Sequence, residues 1–400
     1  MTATARFRWL VACLALPALL TGPPAFAQVT APTDVGLAPP AAPAVTGPPP
    51  ASWPEPPSDQ VTATSWVLIE TATGQRLAEH APDQPRPVAS TVKILTGLTA
   101  ITRVDVDEQV TVGDEVLVGG ASVGLEPGET WTVGELFEAV LVRSGNDATE
   151  ALATYVAGDT PAFVELMRAD ARALGLDPTL GSPSGLEDEN LLTARDLATL
   201  ARAALAQPDL RPFFTLEEVT LPGDEPAENR NLLLETYPGA TGMKTGFTLA
   251  AGNSIVASAQ RDGRELIAVV LDAGDDPARF EQAAALLDLG FEGFAPHVVG
   301  TRLELAVAGG WRAFVTPEVA VTAPASQPPA IDLEVPVRVP EGELEARIVV
   351  DEQSVATTSL AAEEAADGAR SGGAAERLGA ALVDGVYASL RAASSAGTLR

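Results

Sequence analysis

Residues 86–101 read RPVASTVKILTGLTAI, and Ser90 and Lys93 inside them decide how the chain is understood. Of its 25 basic residues only Lys93 and Lys244 are lysines; all the rest are arginines. A helix starting near Ser90 places residues three apart on one face, so the hydroxyl and the amine can meet. Serine attacks poorly unless a base removes its proton, and a lysine kept neutral by burial or by a second cation can be that base. Lys244 is the expected second cation. The same four residues also fit a plain serine cap followed by a solvated lysine, so alone they are weak evidence.

Two further stretches strengthen them. In VRSGNDATEAL (142–152), Ser144, Gly145 and Asn146 form a polar turn between two expected helices, able to relay a proton and hold a carbonyl, or simply to cap the second helix. In GATGMKTGFTLAAGNSIVASA (239–259), Lys244 and Thr245 can bind a carboxylate from an edge strand. Gly246 there is expected to let a ligand approach the backbone, the alternative being a glycine turn with a solvent-facing lysine.

Outward from these motifs, TSWVLIETATGQRLAEHAPD (64–83) reads as a β-hairpin. Helical spacing covers about 90–102, 133–143, 147–157, 160–174 and 193–207. Strands NSIVASAQ and ELIAVVLDA follow, joined by Arg261-Asp262-Gly263-Arg264, and DPARFEQAAALLDLGF reads as a last helix. Strands at both ends with helices between them predict an α+β domain over 59–295 whose terminal strands share one antiparallel sheet. Residues 297–360 alternate apolar and polar side chains between six prolines and predict a small β-sandwich.

The ends differ in character. Arg6 and Arg8 precede an apolar run to Leu20, and small residues close it at PAFA, which predicts a signal peptide over 1–27. Residues 28–58 hold ten prolines and read as an extended linker. The alanine- and glycine-rich stretch 361–374 reads as a connector. Leu378, Leu382, Val386 and Leu390 fall on one face of an amphipathic helix over 375–400.

Composition narrows the chemistry. A net charge of −29 argues against nucleic-acid binding, which needs a basic face. The single cysteine, Cys13, lies in the leader, so the exported chain has no thiol for catalysis, disulfides or metal. His80 and His297 are the only histidines and sit in no polar cluster, which leaves little for a Ser-His-Asp triad or a histidine metal site. No cofactor or metal is expected.

The order Ser-x-x-Lys, Ser-x-Asn, Lys-Thr-Gly resembles the signature of the penicillin-binding proteins. Together with SPSGLEDENLLTARDLATLA (182–201), ENRNLLLETYPGATGMKTGFTLAAG (228–252) and ALLDLGFEGF (285–294), the chain resembles the serine D-alanyl-D-alanine carboxypeptidases of low molecular mass, peptidase S11, with a β-lactamase/transpeptidase-like fold. The resemblance is close over about 60–295 and only general over 297–360. It implies that Ser90 is acylated by peptidoglycan stem peptides, releasing terminal D-alanine, with Lys93 as base. Ser144 would pass a proton to the leaving amine, and Asn146 would hold the peptide and position Lys93. Lys244 and Thr245 would bind the terminal carboxylate, and the Ser90 and Phe247 amides, beside Gly246, would bind the oxyanion. β-Lactam antibiotics would acylate Ser90 as substrate mimics.

Two departures stand out. Phe247 occupies a place where a histidine is common, and LDAGDD (271–276) lacks an arginine some members carry, throwing the carboxylate contact onto Lys244 and Thr245. Arg195 is expected to anchor a helix surface or a loop, the alternative being help with that carboxylate. The resemblance also implies the periplasm as destination and, for the C-terminal helix, contact with the inner-membrane surface; partner docking and an irregular tail fit that stretch as well. A D,D-endopeptidase using the same residues, a β-lactamase and a non-enzymatic envelope scaffold are the competing functions.

Overall fold

The structure is a computed structural model that describes residues 48–221 and 226–299, together with separate strands outside them. The described residues fall into two units: Pro54–Gly293 in one, and Thr4–Trp9, residues 48–53 and the strands from Phe294 onward in the other.

The first unit is built on five antiparallel strands, β1 (Ser65–Glu70), β2 (Arg76–His80), β3 (Ala240–Thr248), β4 (Gly252–Arg261) and β5 (Arg264–Leu271). Their order is β3-β4-β5-β1-β2, so the hairpin that opens the unit pairs with the strand that closes it, as the sequence led us to expect. Every residue of β1 is buried, as are the central residues of β4 and β5, because the sheet is covered on both faces. Val67, Ile69, Ile267, Val269 and Leu271 join the helical core on one face. Alternate residues, Leu68 and Leu266, meet the last helix, α6 (Asp276–Gly293), on the other. A Cβ at Gly290 would come within 2.5 Å of Leu266, so that helix lies close on the sheet through its glycine.

The helical layer comprises α1 (Lys93–Ile101), α2 (Val133–Leu141), α3 (Asn146–Ala157), α4 (Thr160–Ala173) and α5 (Ala194–Leu205). Local chemistry fixes their starts. Thr132 with Glu135 and Thr193 with Asp196 form reciprocal capping boxes at α2 and α5, and Asp159 caps α4. Ser90 is not a cap: it sits in a 3-10 turn, Ala89–Val92, and the α-helix begins only at Lys93.

The second unit, as described, is all β. Arg302–Val307, Gly310–Val315, Ala330–Pro336, Glu343–Val350 and Gln353–Glu364 belong to one antiparallel sheet, and Phe294–Val299 pairs with Val319–Pro324. Gln353–Glu364 runs four residues into the expected connector, because Ala361 to Glu364 find backbone partners on Gly310–Val315. Thr4–Trp9, inside the expected signal peptide, lies antiparallel to Ala330–Pro336. Residues 10–47 and 365–389 lie outside the described residues.

One expectation is corrected. Of the C-terminal stretch 375–400 only Leu390–Ala393 is described, and it is a strand against Arg302–Val307, not a turn of amphipathic helix. An open sheet edge satisfies its backbone N–H and C=O groups, which leucine spacing alone does not reveal.

Candidate active site

The site begins with the backbone around Ser90. Ala89 is held at φ +47°, and the Ala89 carbonyl oxygen lies against Gly185, where a Cβ would approach to 2.1 Å. Gly185 has φ +74°, a conformation and a clearance that only glycine meets. On the other side β3 packs on the turn: a Cβ at Gly246 would lie 2.9 Å from the Val88 carbonyl oxygen and 3.1 Å from Thr91 Cγ2. Gly246 lines the cleft, and its lack of a side chain serves a second purpose. Its missing side chain makes room for the turn that carries Ser90.

Lys93 is fully buried below that turn, its Nζ 3.0 Å from Ser90 Oγ, 2.9 Å from Asn146 Oδ1 and 2.6 Å from the Ser184 carbonyl oxygen. Burial lowers its pKa to about 7, with Arg230 pushing the same way and Glu150, Asp147 and Glu187 opposing. A neutral amine has two hydrogens, for the Asn146 and Ser184 oxygens, and its lone pair then faces Ser90. That is the geometry of a base.

Lys244 is also buried, donating to the Thr245 carbonyl at 3.1 Å. Its pKa lies well below the ordinary lysine value, first through burial, then through the charges of Lys93, Arg230 and Arg279. The charges of Lys93 and Lys244 disfavour each other, a coupling that acts on both partners, while burial is the first cause for each.

Ser144, at φ +66°, and Asn146 come from the turn between α2 and α3, and both are buried. Ser90, Ser144, Asn146, Thr245, Gly246 and Phe247 line one cleft of about 570 Å³. All eight residues singled out from the sequence are therefore at or directly beneath one site. Among the described residues no three histidine, cysteine, aspartate or glutamate side chains gather as a metal site.

The D-alanyl-D-alanine carboxypeptidase family model, peptidase S11, matches residues 51–275. The chain belongs to this family. It is 35% identical to the D-alanyl-D-alanine carboxypeptidase DacB2 of Mycobacterium tuberculosis, over 57% of this chain and 82% of that one. It is also 35% identical to DacC of Escherichia coli, over 58% of this chain, where it spans only 62% of its relative's length. Penicillin binding protein 6B of Escherichia coli superposes with a TM-score of 0.66 at 30% identity, covering 79% of this chain and 99% of that structure.

Within this carboxypeptidase-family site, sequence reading missed two arginines and a loop. Arg279, on the first turn of α6, lines the cleft, pairs with Asp276 and donates to the Gly246 carbonyl at 3.3 Å, while its Nε is buried without a partner. Arg230, exposed at the rim, lines the same cleft. Both supply the positive charge that LDAGDD seemed to lack, and a helix-start signal at Asp276 was the only clue to Arg279. Arg195 instead pairs with Asp83 on the surface. The loop 182–190 brings the Ser184 carbonyl and is held by Asn190, which accepts from the Gly181 amide at 2.7 Å and donates to the Ser182 carbonyl at 3.1 Å. A main-chain carbonyl leaves no mark in a motif.

Proposed function

We propose that this protein is a serine D-alanyl-D-alanine carboxypeptidase that removes the terminal D-alanine of peptidoglycan stem pentapeptides. The observation that carries the reading is the contact of a buried lysine, with its pKa near 7, to Ser90 Oγ. Ser90 Oγ attacks the carbonyl carbon of the penultimate D-alanine and gives its proton to Lys93 Nζ. The developing oxyanion is met by the amides of Ser90 and Phe247; such donors are each worth roughly 3–4 kcal/mol of barrier. Ser144 passes a proton to the leaving amine, D-alanine departs, and water then cleaves the acyl ester to return Ser90.

The substrate carboxylate binds Thr245 Oγ1 and the guanidinium of Arg279, with Arg230 at the rim. Guanidinium matches carboxylate in a two-pronged geometry and stays charged in the cleft, and Lys244, buried beside Thr245, is the further cationic group of this pocket. Asn146 orients Lys93 and the peptide. β-Lactam antibiotics acylate Ser90 and leave slowly. The leader-like N-terminus supports export to the periplasm, and no helix among the described residues is long and apolar enough to cross a membrane.

The test is release of D-alanine from a stem pentapeptide by purified protein. One D-alanine per peptide, with loss of activity in Ser90→Ala, is expected. Release undiminished in Ser90→Ala contradicts the reading.

A further inference from the structure

Asp147 follows Asn146 on α3 and is almost fully buried, and its side-chain hydrogen bonds go to neither Ser90 nor Lys93. Its carboxylate is wrapped by donors from the segment 122–125. Ser122 Oγ, the Gly124 amide at 2.9 Å and the Leu125 amide at 3.2 Å reach Oδ2, and the Val123 amide reaches both oxygens. The Ala148 amide donates to Oδ1 at 2.9 Å. Every group facing this carboxylate is a donor, so only an ionised side chain with two accepting oxygens satisfies them all.

The residues just before that segment are part of the cleft. The Gly119 carbonyl accepts Asn146 Nδ2 at 2.9 Å, and the Ala121 carbonyl accepts the Asn146 amide at 2.7 Å. Gly120 and Ala121 line the cleft, and a Cβ at Gly120 would come within 2.6 Å of Asn146 Nδ2. The Gly119 carbonyl therefore decides which end of the Asn146 amide turns toward Lys93. If the amide were reversed, its NH2 group would face the lysine nitrogen, and Gly119 would face an oxygen.

We propose that Asp147 is a positioning residue of this active site: it pins residues 122–125, thereby fixing the Gly119 and Ala121 carbonyls that aim the Asn146 oxygen at Lys93. This inference rests on the carboxypeptidase reading and adds a residue that contacts no reacting atom. Among the described residues the hydrogen bonds lead from Asp147 to Lys93 through Asn146, while the Asp147 charge also favours protonated Lys93 directly. At a pH well above 7, where Lys93 is neutral in either protein, only the hydrogen-bonded route is left and the effects of the two residues are coupled.

A double-mutant cycle on the rate of acylation by a fluorescent penicillin, run at that pH, tests this. Asp147→Asn sets an NH2 group against donors and should slow acylation by about tenfold or more, whereas in an Asn146→Ala background it should change the rate by less than about twofold. Multiplying effects in the double variant, or an Asp147→Asn protein that acylates within about twofold of wild type, overturns the proposal. Should Asp147→Asn fail to fold, judged by near-ultraviolet circular dichroism, the same cycle runs with Ser122→Ala. That variant removes one donor and is expected to slow acylation about threefold, only while Asn146 is present; an unchanged rate, or a slowing that persists without Asn146, sinks the idea. Wild-type labelling at Ser90 is read in the same series. Its absence contradicts the carboxypeptidase reading itself, whereas a labelled wild type with multiplying variants contradicts the Asp147 assignment alone.

Discussion

Lys93 Nζ lies 3.0 Å from Ser90 Oγ with the Asn146 and Ser184 oxygens at 2.9 and 2.6 Å behind it, so two acceptors hold the amine while the third contact is the nucleophile. The mechanism depends on how often that amine is neutral.

Acylation should therefore rise with pH through about 7, as Lys93 loses its proton. Glu150 favours the charged lysine, so Glu150→Gln should move this limb to lower pH; Arg230 disfavours it, so Arg230→Gln should move the limb upward. Penicillin acylation rates measured from pH 5 to 9 decide the matter, and a limb that ignores both substitutions rules Lys93 out as the titrating group.

Lys93→Arg keeps a cation of similar length but cannot yield a neutral base. Loss of the base should slow acylation by about 10²- to 10⁴-fold. A stopped-flow rate near that of wild type would show that charge, not proton acceptance, is what Ser90 needs.

Arg279→Gln should weaken selection for a free terminal carboxylate. Hydrogen bonds to charged groups are worth about 1.5–3 kcal/mol, so kcat/KM on the peptide acid should fall roughly 10- to 100-fold. The same peptide ending in an amide should be turned over almost equally by both proteins; equal losses on the two would place Arg279 in structure and not in recognition.

Gly185 and Gly175 both have positive φ, but only Gly185 lies against a neighbour, the Ala89 carbonyl. Gly175→Ala should cost about 1–2 kcal/mol of stability from backbone strain alone and leave acylation unchanged. Gly185→Ala must displace Ala89 and with it Ser90, so both melting temperature and acylation should drop further. Similar behaviour of the two variants would mean that the 182–190 loop does not support the nucleophile.

Much of this architecture was legible because side chains carry it. The two lysines are conspicuous in an arginine-rich chain, helical spacing marks α2 and α5, and the Arg-Asp-Gly-Arg turn joins β4 to β5. What stayed hidden is carried by the main chain or by distance. The Ser184 carbonyl has no residue signature, and the 3-10 turn at Ser90 looks like the first turn of a helix. Arg279 joins the cleft only through the fold, where the first turn of α6 brings its guanidinium to the Gly246 carbonyl of β3. Leucines four apart near the C-terminus suit a helix face and equally a strand that happens to hold one of them, Leu390.

The central claim is that Ser90 is the nucleophile. Intact-protein mass spectrometry after incubation with a penicillin, followed by peptide mapping, tests it most directly. The account predicts one penicilloyl adduct, located on the peptide containing Ser90 and absent from Ser90→Ala. An adduct that persists in Ser90→Ala, or maps to Ser144, would contradict it.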